Sequence, residues 1–122
     1  MYLKGKESAK QKVDEFRDEG YEIYTTIVNI TEFFMGLYKT NIISGEKMKA
    51  LKEFFITLHP RFIGYEVGVL AANIYATVLK GQPIGWRDIF IAAIVLLNGR
   101  MIITSTPDHF QRLPDIKAIE YY

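Results

Sequence analysis

The sequence contains no cysteine among its 122 residues. Disulfide bonds, thiolate metal sites and cysteine nucleophiles are therefore excluded. A chain without disulfides fits a reducing compartment, so we expect a cytoplasmic protein. The length and the 49% share of hydrophobic residues are typical of one globular unit, and we expect residues 1–122 to form a single domain.

The sequence also lacks a long hydrophobic run and a strong net charge. Its longest apolar run, Ile89–Leu97, is about half of the roughly 20 residues that cross a bilayer. The N-terminal residues MYLKGKES contain no apolar core of the kind found in signal peptides. The net charge of +1 produces no strong overall field. We therefore expect no membrane partner.

Several motifs of known chemistry are missing as well. There is no GxxxxGK[ST] phosphate loop, no GxGxxG dinucleotide motif and no GxSxG nucleophile elbow. The two histidines, His59 and His109, do not form a zinc pattern. The remaining possibility is a site of oxygen ligands for a hard cation such as Mg²⁺ or Mn²⁺.

The first half of the chain alternates between helical and extended patterns. Ser8 is expected to cap a helix over residues 9–19 that Gly20 ends. Residues 21–28 are rich in aromatic and β-branched side chains and predict a strand. The elements predicted next are a helix over 29–40 with Asn29 as N-cap, a helix from Ser44 to about Leu58 that Pro60 stops, and a short buried strand over 61–65.

The second half continues the alternation. Apolar spacing predicts a helix over 66–81 ending at Gly81, a turn over 82–86, and a helix from Arg87 or Asp88 to Asn98 with Gly99 as its left-handed stop. A strand over 100–105, a loop over 106–110 and a last strand over 116–122 complete the predicted elements. This order indicates an α/β fold, in which ligands bind at the carboxyl ends of parallel strands.

Two acids lie at predicted helix starts, and each has two interpretations. Glu32 follows Asn29 by three residues, the spacing of a capping box, and it is equally placed to bind a metal in the first helical turn. Asp88 precedes the apolar residues from Ile89 onward. It either caps its helix or, because a buried carboxylate needs a partner, binds a cation.

The segment after the 100–105 strand contributes further candidates. Asp108 follows Pro107 and is either a turn residue or a ligand. His109 is either a surface histidine or part of the site. The hydroxyls of Thr104 and Thr106 are suited to orienting a water or a phosphate, although such clusters are common.

Four segments carry a family resemblance: NITEFFMG, PIGWRDIFIAA, NGRMIITSTPDHFQRLP and the closing strand. In order and spacing they resemble the PIN-domain ribonucleases, in particular the VapC toxins of toxin–antitoxin pairs, over nearly the whole chain. The resemblance implies a three-layer α/β/α sandwich with a central parallel sheet. It also implies Mg²⁺ or Mn²⁺ held by acids, cleavage of RNA phosphodiesters, a VapB-like antitoxin as partner, and a homodimer.

The resemblance assigns roles to individual acids. Glu32 matches the family's acid in the second helix, and Asp88 matches the acid just before the IFIAA helix, so both are expected to be catalytic metal ligands. Asp108 is a further candidate ligand if the loop is shifted. We place five residues at the rim of the site: Asn29, Arg87, Thr104, Thr106 and His109.

The chain departs from the family pattern in two places. The family begins with an apolar strand that ends in Asp-Thr-Ser, whereas MYLKGKES resembles the last turn of the helix that follows it. We therefore expect an N-terminally truncated PIN domain without the first strand and its Asp. Thr106 stands where Asp or Asn is frequent, and Trp86 where an acid or small polar residue is common. These departures leave open a catalytically impaired PIN-like binding or dimerisation module.

Overall fold

A computed structural model describes residues 3–40, 44–78, 85–104, 107–111, 113 and 115–120. The chain divides into two compact units, residues 1–22 with 63–122, and residues 23–62. The single domain expected over 1–122 stays a prediction. The helices are α1 (Leu3–Asp18), α2 (Ile27–Thr40), α3 (Gly45–Ile56), α4 (Tyr65–Asn73), α5 (Trp86–Leu97) and α6 (Asp108–Gln111), and the strands are β1 (Met101–Thr104) and β2 (Lys117–Glu120).

Helix α1 ends as predicted but begins earlier. Gly20 adopts a φ of 94°, and the amide of Tyr21 donates a 3.0 Å hydrogen bond to the Phe16 carbonyl. The rings of Phe16 and Tyr21 pack edge to face, which completes a Schellman stop. The prediction that Ser8 caps this helix is wrong, because Ser8 lies inside α1. The cause is that the sparse apolar pattern of the first residues concealed a helix that continues through them.

The predictions of a strand at 21–28 and of a strand at 61–65 are also wrong. Residues 21–28 and 61–65 form only one parallel bridge, between Thr26 and Arg61. The Ile27 amide donates to the Arg61 carbonyl and the Arg61 amide to the Thr25 carbonyl, both at 2.8 Å. A strand needs a neighbour that supplies a hydrogen-bonded ladder, and residue composition alone does not provide one. The predicted burial of 61–65 is wrong too, since Phe62 and Tyr65 are exposed.

Helix α3 begins as the sequence predicts. Ser44 is its N-cap, and the Ser44 hydroxyl accepts a 3.2 Å hydrogen bond from the Lys47 amide. The helix ends at Ile56, two residues before the expected end at Leu58. No residue of α3 is buried. The Ser44 cap, and not burial in a core, therefore determines where this helix begins.

The core of the larger unit is centred on α5. This helix contacts α4, the π-helical turn Ile74–Val78 that follows α4, and β1. Six apolar α5 residues are buried almost completely: Ile89, Ile91, Ala92, Ala93, Ile94 and Val95. A helix that is apolar on all sides is a core helix. Among the described residues no helix is both long and apolar enough to cross a membrane.

The stop of α5 is confirmed at Gly99. Gly99 has a φ of 100°, and the Arg100 amide donates a 2.8 Å hydrogen bond to the Val95 carbonyl, the long-range bond of a Schellman motif. The helix predicted over 66–81 is observed as α4 plus the π-helical turn. Its expected end at Gly81 and most of the 82–86 turn lie outside the described residues.

The predicted strands 100–105 and 116–122 are confirmed as β1 and β2, which pair in parallel from Met101 with Lys117 to Thr104 with Glu120. Ser105, Tyr121 and Tyr122 lie outside the described residues. The loop predicted over 106–110 contains the short helix α6, whose Phe110 is buried. The observed fold is therefore helix-rich with a small parallel sheet. The expected three-layer sandwich with a central sheet stays a prediction.

Replacing Gly99 with alanine is expected to lower the free energy of unfolding by about 1–2 kcal/mol, because an L-residue is strained at this positive φ. A Cβ added there meets no atom within 4 Å, so the expected cost comes from the backbone alone. Urea denaturation of the two proteins measures the difference.

Gly36→Ala is the matched control. Gly36 lies inside α2, and an added Cβ there also meets no atom within 4 Å. Alanine is expected to raise the free energy of unfolding by roughly 0.5–1 kcal/mol, since it has the higher helix propensity. A change of the same sign at both positions would contradict this account of the helix stop.

Candidate functional site

Asp88 is a buried carboxylate at the start of the core helix. It is the third residue of α5, after the N-cap Gly85, and it is only 8% exposed. Gly85 provides no side-chain cap. The amide groups of the first helical turn and the helix dipole favour a negative charge at this position. The local sequence therefore places one anionic side chain in the first turn of a largely apolar helix.

Arg87 is a charged neighbour of Asp88. Its Nη2 and Nε atoms lie 3.3 and 3.4 Å from Oδ1 of Asp88. The Arg87 side chain is 53% exposed and that of Asp88 is 10% exposed, so the pair presents its positive member to solvent. The partner that a buried carboxylate requires is thus supplied at least in part by Arg87. This contact also holds one carboxylate oxygen in a fixed orientation.

Thr104 is the last residue of β1, a strand that contacts α5. Only residues 98–100 separate α5 from β1. Asp108 follows at the start of α6 and is exposed. Thr106 lies outside the described residues, and of His109 only the backbone, within α6, is described.

Glu32 lies in the smaller unit, and its predicted capping role is wrong. Helix α2 begins at Ile27, and Thr26 is the capping residue. The Asn29 amide donates to the Thr26 hydroxyl at 3.1 Å, and that hydroxyl donates to Oδ1 of Asn29 at 2.6 Å. Asn29 is therefore inside the first turn and is not the N-cap. Glu32 is one turn too far along α2 to complete a capping box.

A metal centre of three or more protein ligands is not found in the described ranges, where no three Asp, Glu or His residues lie close enough together. The roles of Glu32, Asp88 and Asp108 as ligands stay predictions. The chemistry of the donors nevertheless fits a hard cation, since Mg²⁺ binds through one or two carboxylates and keeps several waters. A buried carboxylate at a helix start is a donor of this kind.

An aromatic group at the start of α5 has no signal in the sequence. The rings of Tyr75 and Trp86 are stacked, with centroids 5.7 Å apart and planes 10° apart. Phe90 lies one helical turn after Trp86, with its ring 6.1 Å away. Tyr75 belongs to the π-helical turn, so its pairing with Trp86 depends on the contact between that turn and α5. Nothing in the spacing of Tyr75 and Trp86 along the sequence indicates this contact.

Tyr24 has a perturbed ionisation. Burial raises the pKa of its phenol, and the nearby Arg61 guanidinium partly offsets that rise. The guanidinium carbon lies 5.1 Å from the centre of the Tyr24 ring. Arg61 is thus both a partner in the bridge with Thr26 and a contact of the Tyr24 ring.

Comparison with known proteins relates this chain to solved structures only. The chain matches no family model and no curated protein. It is similar to a chain of the DNA-bound VapBC complex of Salmonella typhimurium, with 19% identity, a TM-score of 0.66, and coverage of 80% of this chain and 74% of that one. For VapBC-1 of nontypeable Haemophilus influenzae the identity is 20%, the TM-score 0.69, and the coverage 82% and 75%. These likenesses support a VapC-like PIN fold.

Proposed function

We propose that the chain is a metal-dependent endoribonuclease of the VapC toxin type, which hydrolyses RNA phosphodiesters with Mg²⁺ or Mn²⁺ held by acidic residues. The observation that carries this proposal is the buried Asp88 carboxylate at the start of α5, in a chain with a VapC-like fold. A buried carboxylate costs folding energy unless it is paired. Arg87 and the first helical turn offset part of that cost, and a bound divalent ion would offset more of it.

The chain's own residues have separate roles in this proposal. Asp88 supplies a carboxylate ligand that Arg87 contacts, and the family resemblance also assigns a ligand role to Glu32 on α2. Glu32 does not complete a capping box, because Thr26 caps α2. The exposed Arg87 guanidinium is suited to meet a phosphate, since guanidinium groups bind phosphate through two parallel hydrogen bonds. A divalent ion, when bound, would polarise the phosphoryl group and lower the pKa of an attacking water.

A VapB-like antitoxin and a second copy of the chain are the proposed protein partners. Their support is an aromatic cluster on α2 and α3, formed by Phe33, Phe34, Tyr38, Phe54 and Phe55. Three of these five rings are exposed although they contact one another. Exposed apolar patches of this kind mark interaction surfaces.

A second candidate function is a PIN-like binding or dimerisation module with impaired catalysis. Two observations favour it. The part of the chain that the structure describes contains no group of three acids, and Asp88 already contacts Arg87. In this alternative the Arg87–Asp88 pair replaces a metal, and the aromatic cluster carries the function.

A cleavage assay decides between these two functions. The purified chain is incubated with a labelled single-stranded RNA, in Mn²⁺ or in EDTA. The nuclease proposal expects endonucleolytic products that need Mn²⁺ and that disappear in EDTA. An intact RNA in the presence of a chain that is folded by circular dichroism would contradict it and support the binding module.

A further inference from the structure

The stacked rings of Tyr75 and Trp86 are both largely exposed to solvent. Trp86 is 65% exposed and Tyr75 is 52% exposed, although the two rings lie nearly parallel and the Phe90 ring lies 6.1 Å from that of Trp86. Tryptophan is highly buried in most proteins because its large ring gains most from leaving water. Here each ring covers part of the other, and much of both aromatic surfaces remains in contact with solvent.

The helix geometry explains why the rings face outward. Val67, Ala71 and Ile74 form the buried stripe of α4 and the residue after it. Tyr75 follows Ile74 by one position, so it leaves that stripe and points to the side. Trp86 is the first residue of α5, ahead of the buried segment that starts at Asp88. The contact between the π-helical turn and α5 then aligns the two rings.

An exposed, positively charged side chain follows Trp86 in the sequence. Arg87 follows Trp86 directly and is about half exposed, whereas its partner Asp88 is almost buried. Two flat aromatic faces next to an outward guanidinium are the combination that binds single-stranded nucleic acid, where bases stack on rings and phosphates meet basic groups. An exposed guanidinium next to the rings favours an anionic partner over an apolar protein surface.

We propose that the paired rings of Trp86 and Tyr75 form a stacking platform for an unpaired base of single-stranded RNA. The platform would hold a base at the start of α5, while the exposed guanidinium of Arg87, the next residue in the chain, meets an adjoining phosphate. This inference rests on the proposed nuclease function, and it adds that the substrate is recognised in an unpaired form. Base stacking tolerates many sequences because every base presents an aromatic face.

The fluorescence of Trp86 tests the platform directly, since Trp86 is the single tryptophan of the sequence. A short single-stranded RNA is titrated into the full chain in EDTA, so that metal-dependent cleavage does not interfere. A base stacked on the indole is expected to quench its fluorescence in a saturable manner. An oligonucleotide of the same length built from abasic sites carries the same phosphates and is expected to leave the fluorescence nearly unchanged.

Ring substitutions provide the second measurement, the affinity for an end-labelled RNA from fluorescence anisotropy. Trp86→Leu and Tyr75→Leu are each expected to weaken binding by between about 5-fold and 100-fold, the range for loss of one stacking ring. Trp86→Phe keeps an aromatic face and is expected to recover most of the affinity. Tyr65→Leu is the matched control, because Tyr65 is an exposed tyrosine of the same unit, at the start of α4.

The outcomes separate this inference from the proposed function. Metal-dependent cleavage with unchanged Trp86 fluorescence and unchanged affinity in the Leu variants would overturn the platform and leave the nuclease in place. Ring-dependent RNA binding without any cleavage would support the platform and count against the nuclease. Equal quenching by the abasic oligonucleotide would also overturn it, since only phosphates would then be recognised.

Discussion

Asp88→Asn is expected to reduce Mn²⁺-dependent RNA cleavage by at least about 100-fold, because it removes the anionic metal ligand in the first turn of α5. Asparagine has nearly the same shape and keeps a carbonyl oxygen, so the fold should persist. The expected loss in the free energy of unfolding is less than about 1 kcal/mol, since a charge in the first helical turn typically contributes about 0.3–1 kcal/mol and the Arg87 side chain is half exposed. Initial cleavage rates and thermal melting measure the two effects.

Glu66→Gln is the control for this substitution. Glu66 is likewise an acid in the first turn of a helix whose N-cap is a glycine, but it lies on α4 and is exposed. It is expected to leave the cleavage rate unchanged. If Asp88→Asn instead keeps the full cleavage rate and unfolds at a much lower temperature, Asp88 serves folding and not catalysis.

Ile94→Ala is expected to lower the free energy of unfolding by about 2–5 kcal/mol. Ile94 is 0% exposed and lies in the middle of α5, which contacts α4 and β1. Its truncation removes buried methyl and methylene groups and leaves a cavity that the surrounding helices cannot fill completely. Urea denaturation, monitored by circular dichroism, measures the loss.

Leu97→Ala is the matched comparison on the same helix. Leu97 is the last residue of α5 and is exposed, so the expected loss is less than about 1 kcal/mol. Similar losses for the two variants would contradict the assignment of α5 as the core helix. A large loss for Leu97→Ala alone would mean that the burial described for α5 is reversed along its length.

The features of the fold that sequence predicts well are those with local causes. Gly20 and Gly99 end helices because only glycine adopts their backbone angles easily, and Ser44 caps a helix through its own hydroxyl. The apolar run after Asp88 is a core helix because no exposed element tolerates such a run. Each of these signals lies within a few residues of the feature that it determines.

The features that sequence fails to predict depend on partners far along the chain. Residues 21–28 have the composition of a strand, yet only Thr26 finds a bridge partner, at Arg61. A strand through residue 28 leaves Asn29 as the first available N-cap, whereas in the structure the Thr26 hydroxyl accepts a hydrogen bond from the Asn29 amide and caps α2. The capping interpretation of Glu32 failed for the same reason.

The candidate site shows the same division. The position of Asp88 in a first helical turn follows from sequence, whereas its burial beside Arg87 and the pairing of Tyr75 with Trp86 follow from packing. Tyr75 and Trp86 are brought together by contact between two elements, and no short motif encodes such a contact. Sequence therefore identifies the acid, and the structure identifies its surroundings.

Binding of Mn²⁺ is the measurement that tests the central claim most directly. Free Mn²⁺ is followed by electron paramagnetic resonance as it is titrated into the wild-type chain, Asp88→Asn and Glu66→Gln. The account predicts that the wild-type chain and Glu66→Gln bind the ion equally and that Asp88→Asn binds it far more weakly. Equal binding by all three proteins, or none by the wild-type chain, would contradict the assignment of Asp88 as a metal ligand.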